Sequence, residues 1–208
     1  MRFLRVLIAA IPMFILGSLS TNALAASAEE APAIVRNTCF MCHSQEGNTP
    51  DLAFVPRLAA QEQGYIEEQI KAFRDASRAG PPGVMYMWPI SQNLTEEQIK
   101  QVAKWYSEQP APAPFPADPK LHQVGKQIFE KGILKSSVAA CSSCHGPKAA
   151  GNGIFPRLAG QTPQYLVSQL RYFRTGVRHD KNADVMKPIA SHLTEDEMNA
   201  VAHYLSTL

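Results

Sequence analysis

Every cysteine of this 208-residue chain falls in one of two copies of the pattern C-x-x-C-H, Cys39-Phe40-Met41-Cys42-His43 and Cys141-Ser142-Ser143-Cys144-His145. Two thiols three residues apart on one helical turn are placed to add to the two vinyl groups of a porphyrin, and the adjacent His aims its imidazole at the iron. The pattern therefore predicts two covalently bound haem c groups, held by Cys39 and Cys42 and by Cys141 and Cys144, with His43 and His145 as axial ligands. Three other uses of cysteine remain to be set against this one. A thioredoxin-like C-x-x-C needs no following His and sits in a βαβ pattern, and a four-cysteine zinc site needs no His after each pair. A disulfide framework would be open to an exported protein, with three possible pairings.

Export is indicated at the N-terminus. Met1-Arg2-Phe3-Leu4-Arg5 and the apolar run of residues 6–16 read as the n- and h-regions of a signal peptide, with Ala23-Leu24-Ala25 as the cleavage site and Ala26-Ser27-Ala28 as an alternative. The run contains Pro12 and falls short of the ~20 residues a spanning helix needs, so residues 1–25 are assigned to a cleaved signal rather than a retained anchor. A periplasmic product fits the cysteines, because c-type haem is attached outside the bacterial cytoplasmic membrane. Beyond the signal the charges cancel, but unevenly. Residues 26–109 carry seven Lys/Arg against eleven Asp/Glu, net −4, and residues 110–208 carry eleven against seven, net +4. Such a dipole suits docking of different redox proteins at opposite ends, whereas scattered charges would merely keep the surface wet. No nucleic-acid partner is expected, and membrane association is expected only through protein partners.

The halves are copies. Val55-Pro56-Arg57-Leu58-Ala59 matches Phe155-Pro156-Arg157-Leu158-Ala159, and Met87-Trp88-Pro89-Ile90 matches Met186-Lys187-Pro188-Ile189, at offsets that drift only from 102 to 99 along the chain. Residues 110–119, five of them proline, separate the copies as a stiff extended linker. Domain 1 is thus expected at 26–109 and domain 2 at 120–208, each of a size at which an apolar core is marginal unless a buried haem supplements it. Each reads as helical. Thr95 with Gln98 and Thr194 with Glu197 form capping boxes, followed by Ile99, Val102, Ala103 and Tyr106 in one copy and Met198, Val201, Ala202 and Leu205 in the other. Gly125 and Phe129, one turn apart, predict a close helix crossing in domain 2, and the first copy, lacking that pair, is expected to open with a shorter helix.

The second axial position decides the chemistry. Among the methionines after residue 25, only Met87 and Met186 occupy equivalent positions, and both are followed by a residue and then Pro-Ile. They are the expected iron ligands opposite His43 and His145, with the proline expected to hold each loop extended. Met85 competes with Met87, while Met41 and Met198 read as packing. His122, His179, His192 and His203 have no counterparts in the first copy and read as surface or supporting residues. Thioether ligation favours ferrous iron relative to bis-His ligation and fills the last position, leaving electron transfer rather than catalysis. Arg57, Arg157, Tyr65 and Tyr165 are candidates to bind haem propionates, against a reading as ordinary interdomain or surface contacts. Pro56 and Pro156 are candidates to orient the ligating imidazoles through their carbonyls.

These residues resemble the dihaem cytochrome c4 family, over essentially all of the chain from Cys39 to Leu208. The most specific parts are Cys141-Ser142-Ser143-Cys144-His145-Gly146, Phe155-Pro156-Arg157-Leu158-Ala159-Gly160-Gln161, Tyr165-Leu166, Gln169-Leu170 and Met186-Lys187-Pro188-Ile189-Ala190. The resemblance implies an all-α fold of two tandem class I cytochrome c domains, each wrapped around one covalently bound haem, facing each other across a pseudo-twofold axis. It also implies a periplasmic electron carrier between a quinol-oxidising complex and a terminal oxidase. The first copy departs from the pattern at Ala60, where the second has Gly160, and in its more apolar Phe40-Met41. A rival reading keeps the fold but makes the chain the electron-accepting subunit of a dehydrogenase, such as a flavocytochrome c sulfide dehydrogenase. A haem enzyme, the third reading, needs an open or replaceable axial position. A pyridine haemochrome assay on the purified protein is expected to return two c-type haems per chain; a spectrum without them would remove the common basis of all three readings.

Overall fold

A computed structural model describes residues 31–49, 52 and 54–208. The expected signal peptide and its cleavage site lie outside them, while the first copy, expected to open with a shorter helix, enters its haem motif through a π-helical turn, Val35–Cys39. Among the described residues the chain is helical, with isolated bridges in place of strands, and no helix is long and apolar enough to cross a membrane.

Both terminal helices start where the capping boxes predict. In α4 (Glu96–Ser107) the Thr95 hydroxyl accepts from Gln98 N–H and the Gln98 side chain accepts from Thr95 N–H; α9 (Glu195–Ser206) repeats this with Thr194 and Glu197. Each reciprocal pair satisfies two of the N–H groups that a helix start leaves free. Behind the caps, Ile99, Val102, Ala103 and Tyr106 enter one apolar cluster, with Val35, Ile66, Ile70 and Leu94. Met198, Val201, Ala202 and Leu205 enter a second, with Ile128, Phe129, Leu166 and Phe173. There are two cores because there are two copies of the pattern.

The cores are built alike. Helix α2 (Gln63–Arg74) packs on α4 in the first, and α7 (Pro163–Thr175) packs on α9 in the second. The second also holds α5 (Pro119–Lys131) across α9. Gly125 permits that crossing, since a Cβ there would stand 2.1 Å from the Ala200 carbonyl oxygen. The fully buried Phe129 ring lies against Tyr204, with centroids 5.6 Å apart.

One motif fastens the P-R-L-A segment in both copies. Leu58 and Ala59 N–H donate to the Gly47 carbonyl, and Leu158 and Ala159 N–H donate to that of Ala149. The next residue turns left-handed, Ala60 at φ 55° and Gly160 at φ 72°, and donates its N–H to the terminal helix at Tyr106 or Leu205. Only glycine takes that conformation without steric cost. The structure explains why the copies differ there. Residues 110–118 run without helix or strand, and Pro112 passes over Gly160, where an added Cβ would meet the proline ring at 3.1 Å. The requirement for glycine is doubled in the copy that the linker covers. Gly160→Ala is expected to cost about 1–2 kcal/mol, while Ala60→Gly stays within about 1 kcal/mol of the parent because relieved strain and added chain entropy oppose one another. Thermal denaturation of the two holoproteins checks this.

Candidate haem sites

Each C-x-x-C-H motif ends in one helical turn, α1 (Phe40–His43) or α6 (Ser142–His145). The residues that follow leave the helix at positive φ, Ser44 at 58° and Gly146 at 80°. No disulfide joins Cys39, Cys42, Cys141 and Cys144 in the structure. Among the described residues, no group of three or more His, Cys, Asp or Glu side chains is placed to hold a metal ion. Burial raises the Cys39 and Cys141 thiols to about 11, far from the depressed values of redox-active thiolates.

The two imidazoles are buried, His43 to 8% exposure and His145 to 5%. His43 Nδ1 lies 3.1 Å from the Pro56 carbonyl oxygen and His145 Nδ1 lies 2.9 Å from that of Pro156. A carbonyl only accepts, so Nδ1 carries the proton and Nε2 keeps its lone pair. Desolvation lowers His43 to about 4 and lowers His145 too, so both rings are neutral at physiological pH. A buried neutral imidazole with one nitrogen fixed by a carbonyl is oriented as a metal ligand. The carbonyls stand there because of the P-R-L-A fastening described above.

Met87 and Met186 do not lie on extended loops, contrary to the expectation from the following proline. Met87 closes a π-helical turn, Gly83–Met87, that leads directly into α3 (Trp88–Gln92). Met186 lies within α8 (Ala183–Ser191), whose Pro188 is inside the helix. Proline is tolerated near a helix start, where the N–H it lacks would be free in any case, which accounts for Pro89. Met186 packs against the second core, and both methionines are half-buried, whereas Met85 is 65% exposed. Met198 is fully buried, as expected of packing; Met41, expected to pack, is largely exposed.

The equivalent arginines have diverged. Arg57 donates to the carbonyls of Ala113 and Gly160, both at 2.9 Å, and lies 4.1 Å over the Phe115 ring. The linker has taken the side chain that was a propionate candidate in the first copy. Arg157 is half-buried, and its Nε is buried without a hydrogen-bonding partner. An orphaned guanidinium nitrogen on the segment that anchors His145 fits a carboxylate-bearing group such as haem. Tyr65 and Tyr165, the other propionate candidates, instead accept from Arg178 and Arg78 across the boundary between the copies.

That boundary was missed in the sequence. Gln61 caps the backbone of Arg157 through both N–H and C=O, and Gln161 does the same to Arg57. Beside them Arg78 and Arg178, buried at 7% and 5% exposure, form an antiparallel bridge. The signal existed: Gln69, Phe73, Arg74 and Arg78 recur as Gln169, Phe173, Arg174 and Arg178 at a constant offset of 100.

A fold of two helical bodies, each carrying a C-x-x-C-H turn and a buried imidazole tethered to proline, defines a pair of class I cytochrome c domains. The Cytochrome c family model matches residues 28–108 and 123–208. Cytochrome c-552 of Acidithiobacillus ferridurans is 39% identical over 179 residues, 86% of this chain and 76% of that protein. A thiosulfate dehydrogenase electron acceptor of Stutzerimonas stutzeri is 35% identical over 82% of this chain and 78% of its own length. The solved structure of Acidithiobacillus ferrooxidans cytochrome c4 is similar at TM-score 0.76 and 39% identity, covering 82% of this chain and 98% of that one. The chain belongs to the cytochrome c family and, within it, to the cytochrome c4 group. It binds haem c and is an electron carrier, not an enzyme.

Arg157→Leu is expected to lower the reduction potential of one haem and leave the other in place. Arg57→Leu is expected to leave both potentials within a few millivolts of the parent (about a tenth of the ~59 mV that a tenfold change represents) but to speed proteolytic nicking of residues 110–118. Redox titration and limited proteolysis of the two variants test that division of labour.

Proposed function

We propose that the chain is a periplasmic two-haem relay with His–Met ligation at both irons: His43 and Met87 in the first domain, His145 and Met186 in the second. The thioether bonds are assigned to Cys39, Cys42, Cys141 and Cys144. The observation that carries this reading is the duplicated buried imidazole with a tethered Nδ1 and a free Nε2, on a chain whose equivalent methionines are each followed at the second position by proline. The signal-like residues 1–25 and the attachment chemistry support the periplasm.

When bound, haem c supplies a one-electron ferric–ferrous couple. The protein's part is to hold that couple still. The Pro56 and Pro156 carbonyls fix ring orientation and strengthen imidazole basicity, so the nitrogens that would hold iron are set in place by the protein itself. Burial keeps the imidazoles neutral and excludes water from their surroundings. A thioether from Met87 or Met186 would raise the potential relative to bis-His ligation and would exclude exogenous ligands. The opposite net charges of the two copies support docking of different partners at the two ends.

The donor is read as a quinol-oxidising complex and the acceptor as a terminal oxidase. A second reading, in which a dehydrogenase reduces the chain as its electron-accepting subunit, is supported by the thiosulfate dehydrogenase electron acceptor that is 35% identical to it. Potentiometric titration with optical detection is expected to give two low-spin haems, each with the far-red band of His–Met ligation. Rapid carbon monoxide binding by the reduced protein would overturn the ligand assignment at the affected haem. Reduction by quinol-oxidising membranes without co-purifying dehydrogenase supports the first partner reading, and stable co-purification with a dehydrogenase supports the second.

A further inference from the structure

One peptide group in each copy is hydrogen-bonded at both ends. The Pro156 carbonyl that lies 2.9 Å from His145 Nδ1 belongs to the same amide as the Arg157 N–H, and that N–H donates to Gln61 Oε1 of the first copy at 2.7 Å. The reverse is also built. The Pro56 carbonyl lies 3.1 Å from His43 Nδ1, and the Arg57 N–H of that amide donates to Gln161 Oε1 of the second copy at 2.9 Å. A trans peptide group points its C=O and its N–H to opposite sides, so each amide stands between its own copy's imidazole and the other copy's glutamine. Each histidine is thus backed by a side chain from across the boundary.

Glutamine has the chemistry for this place. A primary amide can accept from the N–H and donate to the C=O of one residue at the same time. Both side chains do so: Gln61 Nε2 donates to the Arg157 carbonyl and Gln161 Nε2 to the Arg57 carbonyl, each at 3.0 Å. Each Oε1 also accepts the N–H of the residue that follows its glutamine, Glu62 or Thr162, at 3.0 Å, which fixes its aim. Both glutamines are buried, at 6% and 5% exposure, where a hydrogen bond is electrostatically stronger than in water. Elsewhere the boundary differs between the copies. Asp180 accepts from Arg178 Nε, but its counterpart at the offset of 100 is Gly80, where an added Cβ would stand 2.8 Å from the Tyr172 ring. The glutamine exchange uses the same atoms in both directions.

We propose that Gln61 and Gln161 are positioning residues for the opposite copy's histidine: Gln61 sets the strength of the hydrogen bond on His145, and Gln161 that on His43. Hydrogen bonds in a chain polarise one another, so an amide whose N–H is engaged becomes a stronger acceptor at its oxygen, by about 10–30% per bond. A stronger bond at Nδ1 makes the imidazole a more basic ligand at Nε2, and a more basic ligand favours ferric over ferrous iron. In the haem-loaded protein each copy therefore holds down the reduction potential of the other through one polarised amide. The path runs through neutral groups alone.

The inference rests on the reading of His43 and His145 as iron ligands, and the experiment keeps the two failures apart. Holoprotein variants are compared with the parent by potentiometric titration and by the Nδ1–H resonances of the two histidines in the reduced protein. Gln61→Met is expected to move the His145 resonance upfield and to raise the reduction equilibrium constant of the second haem about twofold, leaving the first copy's values in place. Gln161→Met is expected to do the reverse. Gln61→Glu, which offers the Arg157 N–H a stronger acceptor, is expected to move the His145 resonance downfield. Tyr165→Phe removes a different hydrogen bond across the boundary and is expected to leave both resonances where they are. Shifts confined to the variant's own copy, equal shifts in both copies, the same shifts in Tyr165→Phe, or no movement in the glutamine variants would overturn the proposal. In the parent, ring-carbon protons of His43 and His145 that lack the large upfield displacement of an imidazole seated on a porphyrin face would refute the ligand reading instead.

Discussion

An imidazole that must bind metal has to be neutral, dry and aimed, and in this chain a single backbone carbonyl secures the aim twice over. The Pro56 and Pro156 oxygens could not reach His43 and His145 unless the P-R-L-A segment were fastened to the loop after the haem motif, and that fastening uses the N–H groups of the two residues that follow the arginine. The next residue must then turn left-handed to meet the terminal helix. Proline, with no N–H to satisfy, sits at the one position where only the carbonyl is used. The capped terminal helix, the turn and the motif are thus parts of one arrangement around the ring nitrogen.

The same arrangement sets how the copies meet. Gln61 and Gln161 follow the left-handed residue, and each reaches across to the backbone of the other copy's arginine, using the N–H and C=O that the segment leaves over. Each bond is modest, about 1 kcal/mol net, but the groups are part-buried and would be costly if left unmet. Symmetry of this kind follows from duplication, since any surface that suits itself is satisfied twice by one rotation. The departures from symmetry all have local causes: the linker over Gly160, the diversion of Arg57, and the ring of Tyr172 beside Gly80.

Much of this was legible in the sequence because it rests on short patterns with a mechanism. The capping boxes, the Gly125–Phe129 crossing and the proline carbonyls over the histidines appear where residue chemistry put them. The conformation around Met87 and Met186 did not. Proline was weighed as a helix breaker when its position near the start of a short helix made it tolerable, and in α8 tertiary packing overrode the local preference. Arg57, Tyr65 and Tyr165 make the interdomain contacts that were weighed against a propionate role, and local pattern did not say which groups they would reach. A buried polar side chain takes whichever acceptor or donor lies nearest, and here the nearest groups belonged to the other copy or the linker, about a hundred residues away for the tyrosines.

The diversion of Arg57 gives the chain a direction. Gene duplication supplies two interchangeable copies, yet the strap leaving the first is held by that same copy's arginine while it covers the second copy's glycine. Reversing the order of the halves, or joining them through another route, would take the Ala113 carbonyl from Arg57 and strip the cover from Gly160. The two buried histidines repeat one arrangement, but the connectivity around them does not repeat. The molecule's two ends are distinguished by how they are tied together before any partner approaches, so the first copy and the second are no longer free to exchange places in evolution.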